Sequence, residues 1–147
     1  MLSLDANVLF YAVDKAAGQR HAAAKKIIDA AAATNCGLTE QSLFELFHSV
    51  VRKAKIPANE ATTVVQKFSG DFPILLPGRA VVSDALAMRA RYGLSIWDAR
   101  LLAVCASHRC DYLLSEDLQD GAQYGTVTVV DPFRAANAAL LSRALTP

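Results

Sequence analysis

Four acidic side chains occupy positions where a carboxylate is not expected from its neighbours, and together they could bind a metal ion and catalyse a reaction. They are Asp5, Glu45, Asp98 and Asp117. Hard cations such as Mg²⁺ and Mn²⁺ prefer oxygen ligands, which a cluster of carboxylates supplies. Crowded carboxylates repel one another, and a divalent ion relieves that repulsion. If the fold brings them together, the four acids predict metal-assisted hydrolysis of phosphodiester bonds, in which the ion activates a water and stabilises the leaving oxygen.

The first and last of these acids follow apolar segments. Asp5 lies within residues 1–9, an apolar run that predicts a short buried strand, where an acid is costly unless it is paired, hydrogen-bonded or metal-bound. An Asx turn or a helix N-cap would also explain it. Asp117 comes directly after a second apolar segment, where ordinary loop polarity is the alternative. The pattern does not decide which of Glu116, Asp117 and Asp120 points inward.

The other two acids fall on predicted helices. Glu45 shares a helical stripe with Gln41, which indicates either the wall of a cleft or simply the solvated face. Asp98 lies three residues after Ser95, and this spacing predicts a capping box. The helix dipole favours a carboxylate in the first turn, and the same position can aim it at the ligand-binding edge of a sheet. Capping and catalysis are therefore compatible at Asp98.

Strand and helix patterns alternate along the chain, which is typical of parallel β-α units. Strands are predicted at residues 1–9, 72–76, 112–115 and 127–130, and helices at residues 20–33, 40–54, 59–68, 79–92 and 95–108, with a last helix after Pro132. We expect one domain over residues 1–147, an α/β fold with a three-layer α/β/α sandwich around a parallel sheet of four or five strands. Ligands of such sheets bind beyond the carboxyl ends of the strands.

Composition narrows the function classes. Apolar residues make up 53% of the 147 residues and charged residues 20%, as in a folded globular protein. The net charge is only +1, so the general basic coat of many nucleic-acid binders is absent. Basic side chains could still rim an acidic site, although solvated helix faces are the simpler explanation for them. These candidates are Lys25, Lys26, Arg52, Lys53, Lys55, Arg89 and Arg91.

Several other classes find no support in the sequence. The motifs of serine hydrolases, P-loop enzymes and dinucleotide-binding proteins (GxSxG, GxxxxGK[ST] and GxGxxG) are missing. The three cysteines have no metal-binding or disulfide spacing and predict buried thiols in a reducing compartment. With no signal-peptide pattern and no long apolar span, we expect a cytoplasmic protein.

Taken in order, the short motifs resemble those of the PIN-domain family. LDANVL at residues 4–9 is similar to the first-strand motif, and QSLFE at residues 41–45, followed by Arg52 and Lys53, to the second acidic helix. SIWDA at residues 95–99 resembles the third motif, and LSED at residues 114–117 the fourth. DPF at residues 131–133 resembles the usual ending of bacterial VapC-type members. The ordered set is more specific than any single motif.

The resemblance implies that Asp5, Glu45, Asp98 and Asp117 bind Mg²⁺ or Mn²⁺ and catalyse endonucleolytic RNA cleavage. It further implies the toxin of a type II toxin–antitoxin pair, with a homodimer and a cognate antitoxin whose basic side chain could cover the acids. Asn7 and Ser115 would orient the acids through hydrogen bonds. Arg52, Lys53 and Arg100 are the candidate RNA contacts, with Arg100 equally well explained as a surface residue.

Two alternatives to the toxin remain open at this point. One is a housekeeping PIN nuclease that has no antitoxin. The other is a module that binds RNA or protein without catalysis and merely kept the acids. Neither the RNA target nor the number of metal ions follows from the motifs.

Overall fold

The computed structural model describes residues 1–146, which form a central sheet covered by helices on both faces. The strands are β1 (Leu2–Leu4), β2 (Cys36–Thr39), β3 (Ile74–Leu75), β4 (Tyr112–Leu114), β5 (Gln123–Tyr124) and β6 (Val127–Val130). The helices are α1 (Ala6–Val13), α2 (Gln19–Ala31), α3 (Glu40–Arg52), α4 (Ala58–Asp71), α5 (Val81–Tyr92), α6 (Ile96–Ser107) and α7 (Ala138–Ala144). This is the three-layer α/β/α fold expected from the alternating pattern.

The six strands lie in the order β3-β2-β1-β4-β6-β5. All neighbours pair in parallel except β5 and β6, which pair antiparallel. The sheet is therefore mostly parallel, as expected, but it has six strands where four or five were expected, and both edges are two-residue strands. From β1 the chain moves to one side of the sheet and later returns to pair β4 on the other side. Residues that follow β1 and β4 thus flank a topological switch point, where ligands of open α/β sheets bind.

Strand β2 was not predicted from the sequence, because Gly37 follows the helical pattern of residues 20–33 and glycine commonly follows the end of a helix. In the structure Gly37 is buried within the strand and lies against β3. A Cβ atom at this position would stand 2.6 Å from Cδ2 of Leu75. A side chain at this position would force the Leu75 side chain to move, and close approach of this kind is a recognised use of glycine in strands.

The predicted strand over residues 1–9 is shorter than expected and gives way to a helix. Strand β1 ends at Leu4, and Asp5 is the N-cap of α1, with Oδ1 accepting a hydrogen bond from the Ala6 backbone N–H at 2.7 Å. The backbone N–H groups of Val8 and Leu9 donate to the carbonyl of Asp5. Asp5 therefore ends a buried strand and caps a helix at once.

Other helix boundaries agree closely with the sequence signals. Thr39 caps α3 by accepting from the Ser42 N–H, and Ser95 caps α6 by accepting from the Asp98 N–H. Gly93 ends α5 in the left-handed conformation. The last helix begins at Ala138, several residues later than expected from Pro132, because a short 3-10 turn over Ala135–Asn137 precedes it.

Of three apolar clusters in the described part of the chain, a small one joins α5 to α6, and two larger ones pack helices against the sheet. The largest contains buried side chains of α1, α2, α3 and α4 on one face of the sheet. The second contains side chains of α6 on the opposite face. Helix α3 packs mainly against α1 and α4, whereas α6 packs mainly against α5. Among residues 1–146, no helix combines the length and apolar character needed to cross a membrane.

Candidate active site

A pocket of about 630 Å³ lies at the carboxyl ends of β1 and β4. Its walls come from the first turns of α1 and α6, one face of α3, and the loop after β4. Its lining includes Asp5, Asn7, Phe10, Tyr11, Gln41, Phe44, Glu45, His48, Ser49, Lys53, Asp98, Leu101, Glu116 and Asp117. All four acids singled out from the sequence thus line one pocket at the switch point of the sheet.

Asp5 is the most perturbed group in this pocket. Its side chain is 7% exposed. Its pKa is raised from 3.8 to about 6: burial is the main cause and the charges of Glu45 and Asp117 add to it, while hydrogen bonds from Ser115 and the Ala6 N–H oppose the rise. The ionised form of such a buried carboxyl group is unfavourable, and a bound cation would stabilise it.

Ser115 and Asn7 tie the ends of the two central strands together. The fully buried hydroxyl of Ser115 donates to Oδ2 of Asp5 at 2.6 Å and accepts the backbone N–H of Asp117 at 3.2 Å. Nδ2 of Asn7 lies 3.0 Å from Oδ2 of Asp117 and 3.3 Å from Oδ2 of Asp5. These contacts restrain the carboxylates of Asp5 and Asp117.

The structure separates Asp117 from its acidic neighbours. Glu116 accepts a hydrogen bond from the Tyr11 hydroxyl and forms a 2.7 Å ion pair with Arg20. Asp120 accepts from the backbone N–H of Asp131 and the Asn137 amide and pairs with Arg134, and these contacts lower its pKa. Asp117 is the acid that shares the Asn7 amide with Asp5.

Glu45 reaches the pocket from α3. Its Oε1 accepts a hydrogen bond from Nε2 of Gln41 one turn earlier, at 2.8 Å. Asp98 reaches the pocket from the first turn of α6, where its Oδ2 accepts from the Ser95 hydroxyl at 2.6 Å. Only half of the predicted capping box is present: the Ser95 hydroxyl accepts the Asp98 N–H at 3.1 Å, but the Asp98 carboxylate bonds that hydroxyl and not the Ser95 backbone N–H. The Asp98 carboxylate also lines the pocket.

The carboxylates line one pocket but do not form a preorganised metal-coordination site. Within residues 1–146, no three Asp, Glu, His or Cys side chains are already close enough to hold a metal ion together. The donor set nevertheless fits a hard cation, because it consists of carboxylate oxygens. A positively polarised N–H₂ group, that of Asn7, already lies between the oxygens of Asp5 and Asp117. The site therefore favours positive charge at that point.

The basic residues singled out from the sequence differ in what they touch. Lys53 lines the pocket, with Nζ 5.5 Å from the centre of the Phe10 ring. Arg52 is exposed on the last turn of α3, with His48 as its neighbour at 3.5 Å. Arg100 is engaged within the protein, because it donates to Gln41 at 2.8 Å and pairs with Glu40. An RNA contact by Arg100 would require it to leave these partners.

Sequence reasoning missed the polar residues that support the acids. Gln41 was noted only as part of the stripe that contains Glu45, although its position four residues earlier on a helix is a detectable signal. Tyr11 and Arg20 had no signal at all, since they meet Glu116 across 105 and 96 residues of sequence.

The chain is similar in sequence to one protein family and in structure to several solved proteins. The sequence model of the PIN domain matches residues 2–119. A toxin–antitoxin complex from Klebsiella pneumoniae superposes with a TM-score of 0.66 at 21% identity, covering 91% of this chain and 99% of that one. FitAcB from Neisseria gonorrhoeae gives a TM-score of 0.68 at 17% identity with the same coverage. None of the curated proteins matches the chain.

A third solved structure carries a description of activity. VapC20 from Mycobacterium tuberculosis, a toxin that cleaves the sarcin-ricin loop, superposes with a TM-score of 0.62 at 15% identity. The match covers 77% of this chain and 87% of VapC20. At these identities the structural comparisons establish a shared fold.

Proposed function

This chain belongs to the PIN domain family, and on that premise we propose that it is a metal-dependent endoribonuclease that hydrolyses RNA phosphodiester bonds. One observation carries the proposal. Asp5, Glu45, Asp98 and Asp117 come from four separate parts of the sequence and line a single pocket at the switch point of the sheet. Asp5 and Asp98 also stabilise helix starts, but that role does not require four carboxylates in one pocket, where they repel one another.

Asp5, Glu45, Asp98 and Asp117 are the residues that would hold Mg²⁺ or Mn²⁺. When bound, the ion would polarise the scissile phosphate, lower the pKa of an attacking water and stabilise the leaving oxygen. The protein contributes the placement of the ligands. The Ser115 hydroxyl donates a hydrogen bond to Asp5, and the Asn7 amide bonds both Asp5 and Asp117. Both carboxylates are therefore oriented before a substrate arrives.

The remaining pocket residues suit a nucleic-acid backbone. Without a cation, four carboxylates would repel a phosphate, so productive binding of RNA depends on the ion. Lys53 lies on the pocket wall and Arg52 beside it on α3, where both could contact phosphates that flank the cut. Phe10 and Leu101 supply apolar wall that limits the access of bulk water.

Cleavage of pooled cellular RNA tests the nuclease directly. We expect the purified protein to cut with Mg²⁺ or Mn²⁺ and to stop when the metal is chelated, with discrete ends revealed by sequencing. Asp98→Asn should abolish the cuts, whereas Asp84→Asn, an exposed aspartate on α5, should leave them unchanged. Folded wild-type protein that leaves RNA intact in both metals, or Asp98→Asn protein that cuts equally well, would contradict the proposal.

We further propose that the nuclease is the toxin of a toxin–antitoxin pair, works in the cytoplasm and forms a homodimer. The support is the likeness to solved toxin–antitoxin complexes. In addition, large apolar side chains are exposed on neighbouring elements, and monomeric proteins rarely expose extended apolar patches. They include Phe44, Val82, Leu86, Ile96 and Trp97.

Expression in a bacterial host tests the toxin assignment separately from the nuclease. Wild-type protein should arrest growth, and Asp98→Asn at equal protein level should not. RNA cleavage without growth arrest would instead favour a housekeeping nuclease. Light scattering of the purified protein should give twice the mass of one chain, and a monomer at micromolar concentration would overturn the homodimer.

A further inference from the structure

Gln41 holds Glu45 in place from one helical turn away. Nε2 of Gln41 donates to Oε1 of Glu45 at 2.8 Å and also to the backbone carbonyl of Trp97 at 3.1 Å. Glu45 is otherwise an exposed side chain, and in residues 1–146 Gln41 supplies its only hydrogen bond. Trp97 immediately precedes Asp98, so a single amide connects one acid of the pocket to the backbone beside another.

Arg100 decides which way the Gln41 amide points. Nη1 of Arg100 donates to Oε1 of Gln41 at 2.8 Å. A guanidinium group has only donors, so the amide must turn its oxygen toward Arg100. Its two N–H bonds are then left for the Glu45 carboxylate and the Trp97 carbonyl. In the reversed orientation, the amide N–H₂ group would face the N–H groups of Arg100. The amide oxygen would then face the Glu45 carboxylate and the Trp97 carbonyl, so all three contacts would be unfavourable.

These contacts form a polar bracket between two helices that otherwise pack with different neighbours. We define the bracket as Glu40, Gln41 and Arg100 together with the Trp97 carbonyl. Arg100 of α6 is anchored by its ion pair with Glu40, the first residue of α3. Because α3 packs mainly on α1 and α4 while α6 packs mainly on α5, apolar packing does not fix the two helices to each other directly.

We propose that Gln41 is a positioning residue that sets Glu45 relative to Asp98, and that Arg100 acts through Gln41 by orienting its amide. This inference rests on the proposed function, since Glu45 matters only if the pocket binds a cation. A glutamate restrained before the ion arrives loses less side-chain entropy on binding than a free one. Removing the bracket should therefore weaken metal binding even though its side chains are not among the four proposed carboxylate ligands.

The test measures Mn²⁺ affinity of the RNA-free protein by titration calorimetry, so it does not depend on activity. Gln41→Leu should bind Mn²⁺ about tenfold more weakly than wild type, in the range known for residues that support metal ligands. Arg100→Met should show a smaller loss in the same direction, and it provides a second variant in case Gln41→Leu does not fold. Gln66→Leu, an exposed glutamine of α4, is the matched control and should bind like wild type.

A double-mutant cycle with Glu45→Gln separates positioning from general damage. If Gln41 acts through Glu45, the double variant should bind Mn²⁺ as Glu45→Gln alone does. Gln41→Leu with wild-type affinity, or a loss that adds in full to that of Glu45→Gln, would overturn the bracket while leaving the proposed function intact. Wild-type protein that binds no Mn²⁺ would overturn both.

Discussion

Asp5→Asn should stabilise the metal-free protein while destroying its metal site. The pKa of Asp5 rises from 3.8 in the unfolded chain to about 6 in the folded protein. The folded state therefore holds the proton more tightly, and unfolding becomes easier as pH rises from about 4 to about 6. Above pH 6 the ionised carboxylate costs the folded state about 3 kcal/mol, since one pKa unit corresponds to about 1.4 kcal/mol.

Asparagine removes that charge and keeps most of the local contacts. Its amide oxygen can still accept the Ala6 N–H, and asparagine is as good an N-cap as aspartate. It has one acceptor oxygen instead of two, so about one hydrogen bond among those from Ser115 and Asn7 is lost, at roughly 1 kcal/mol. The net gain should be about 2 kcal/mol at pH 7.5, or roughly 4–8 °C in Tm for a chain of this size.

Urea unfolding in the presence of a chelator measures this gain. The advantage of Asp5→Asn should be present at pH 7.5 and should vanish toward pH 4, where the wild-type carboxyl is protonated. Added Mn²⁺ should reverse the order, because it stabilises only the protein that binds it. Asp29→Asn, an exposed position on α2, should change stability by less than about 0.5 kcal/mol. Equal or lower stability of metal-free Asp5→Asn at pH 7.5 would refute the account of Asp5.

Three further predictions follow from other contacts. Gly37→Ala should lower the free energy of unfolding by about 1–3 kcal/mol in urea, because its Cβ would overlap the Leu75 side chain; a neutral effect would contradict this role of Gly37. Ser115→Ala should cost about 1–3 kcal/mol in the same assay, since the buried Asp5 carboxylate loses its shortest side-chain donor, and wild-type stability would contradict that. Lys53→Met should reduce the slope of log RNA affinity against log salt concentration by about 0.7, whereas Lys25→Met should not; equal slopes would remove Lys53 from the RNA path.

The main architecture was accessible from the sequence because its signals are local. Apolar runs, capping residues and the glycine after α5 are read within a few neighbouring positions. The acids could be assigned to strand ends and helix starts in the same way, since Asp5 and Asp117 follow apolar segments and Asp98 lies three residues after Ser95, the N-cap of α6. The closing of all four around one pocket then follows from the parallel topology.

Contacts between distant residues could not be predicted. Strand β2 was missed because Gly37 serves a tertiary contact with Leu75, and a glycine needed for close approach has the same sequence appearance as one that ends a helix. Arg100 was a candidate RNA contact because a basic residue beside an acidic motif suggests one. Its actual partners, Glu40 and Gln41, lie 60 and 59 residues away, and no local pattern reports them.

Diffraction from crystals soaked in Mn²⁺ tests the central claim most directly, because anomalous scattering locates the ion without reference to activity. We predict a peak at the carboxyl ends of β1 and β4, within coordination distance, about 2.1 Å, of carboxylate oxygens of Asp5 and at least one of Glu45, Asp98 and Asp117. The peak should be absent from crystals of the Asp5→Asn variant. A well-ordered pocket without a peak at saturating Mn²⁺, or an ion bound elsewhere on the protein, would contradict the account.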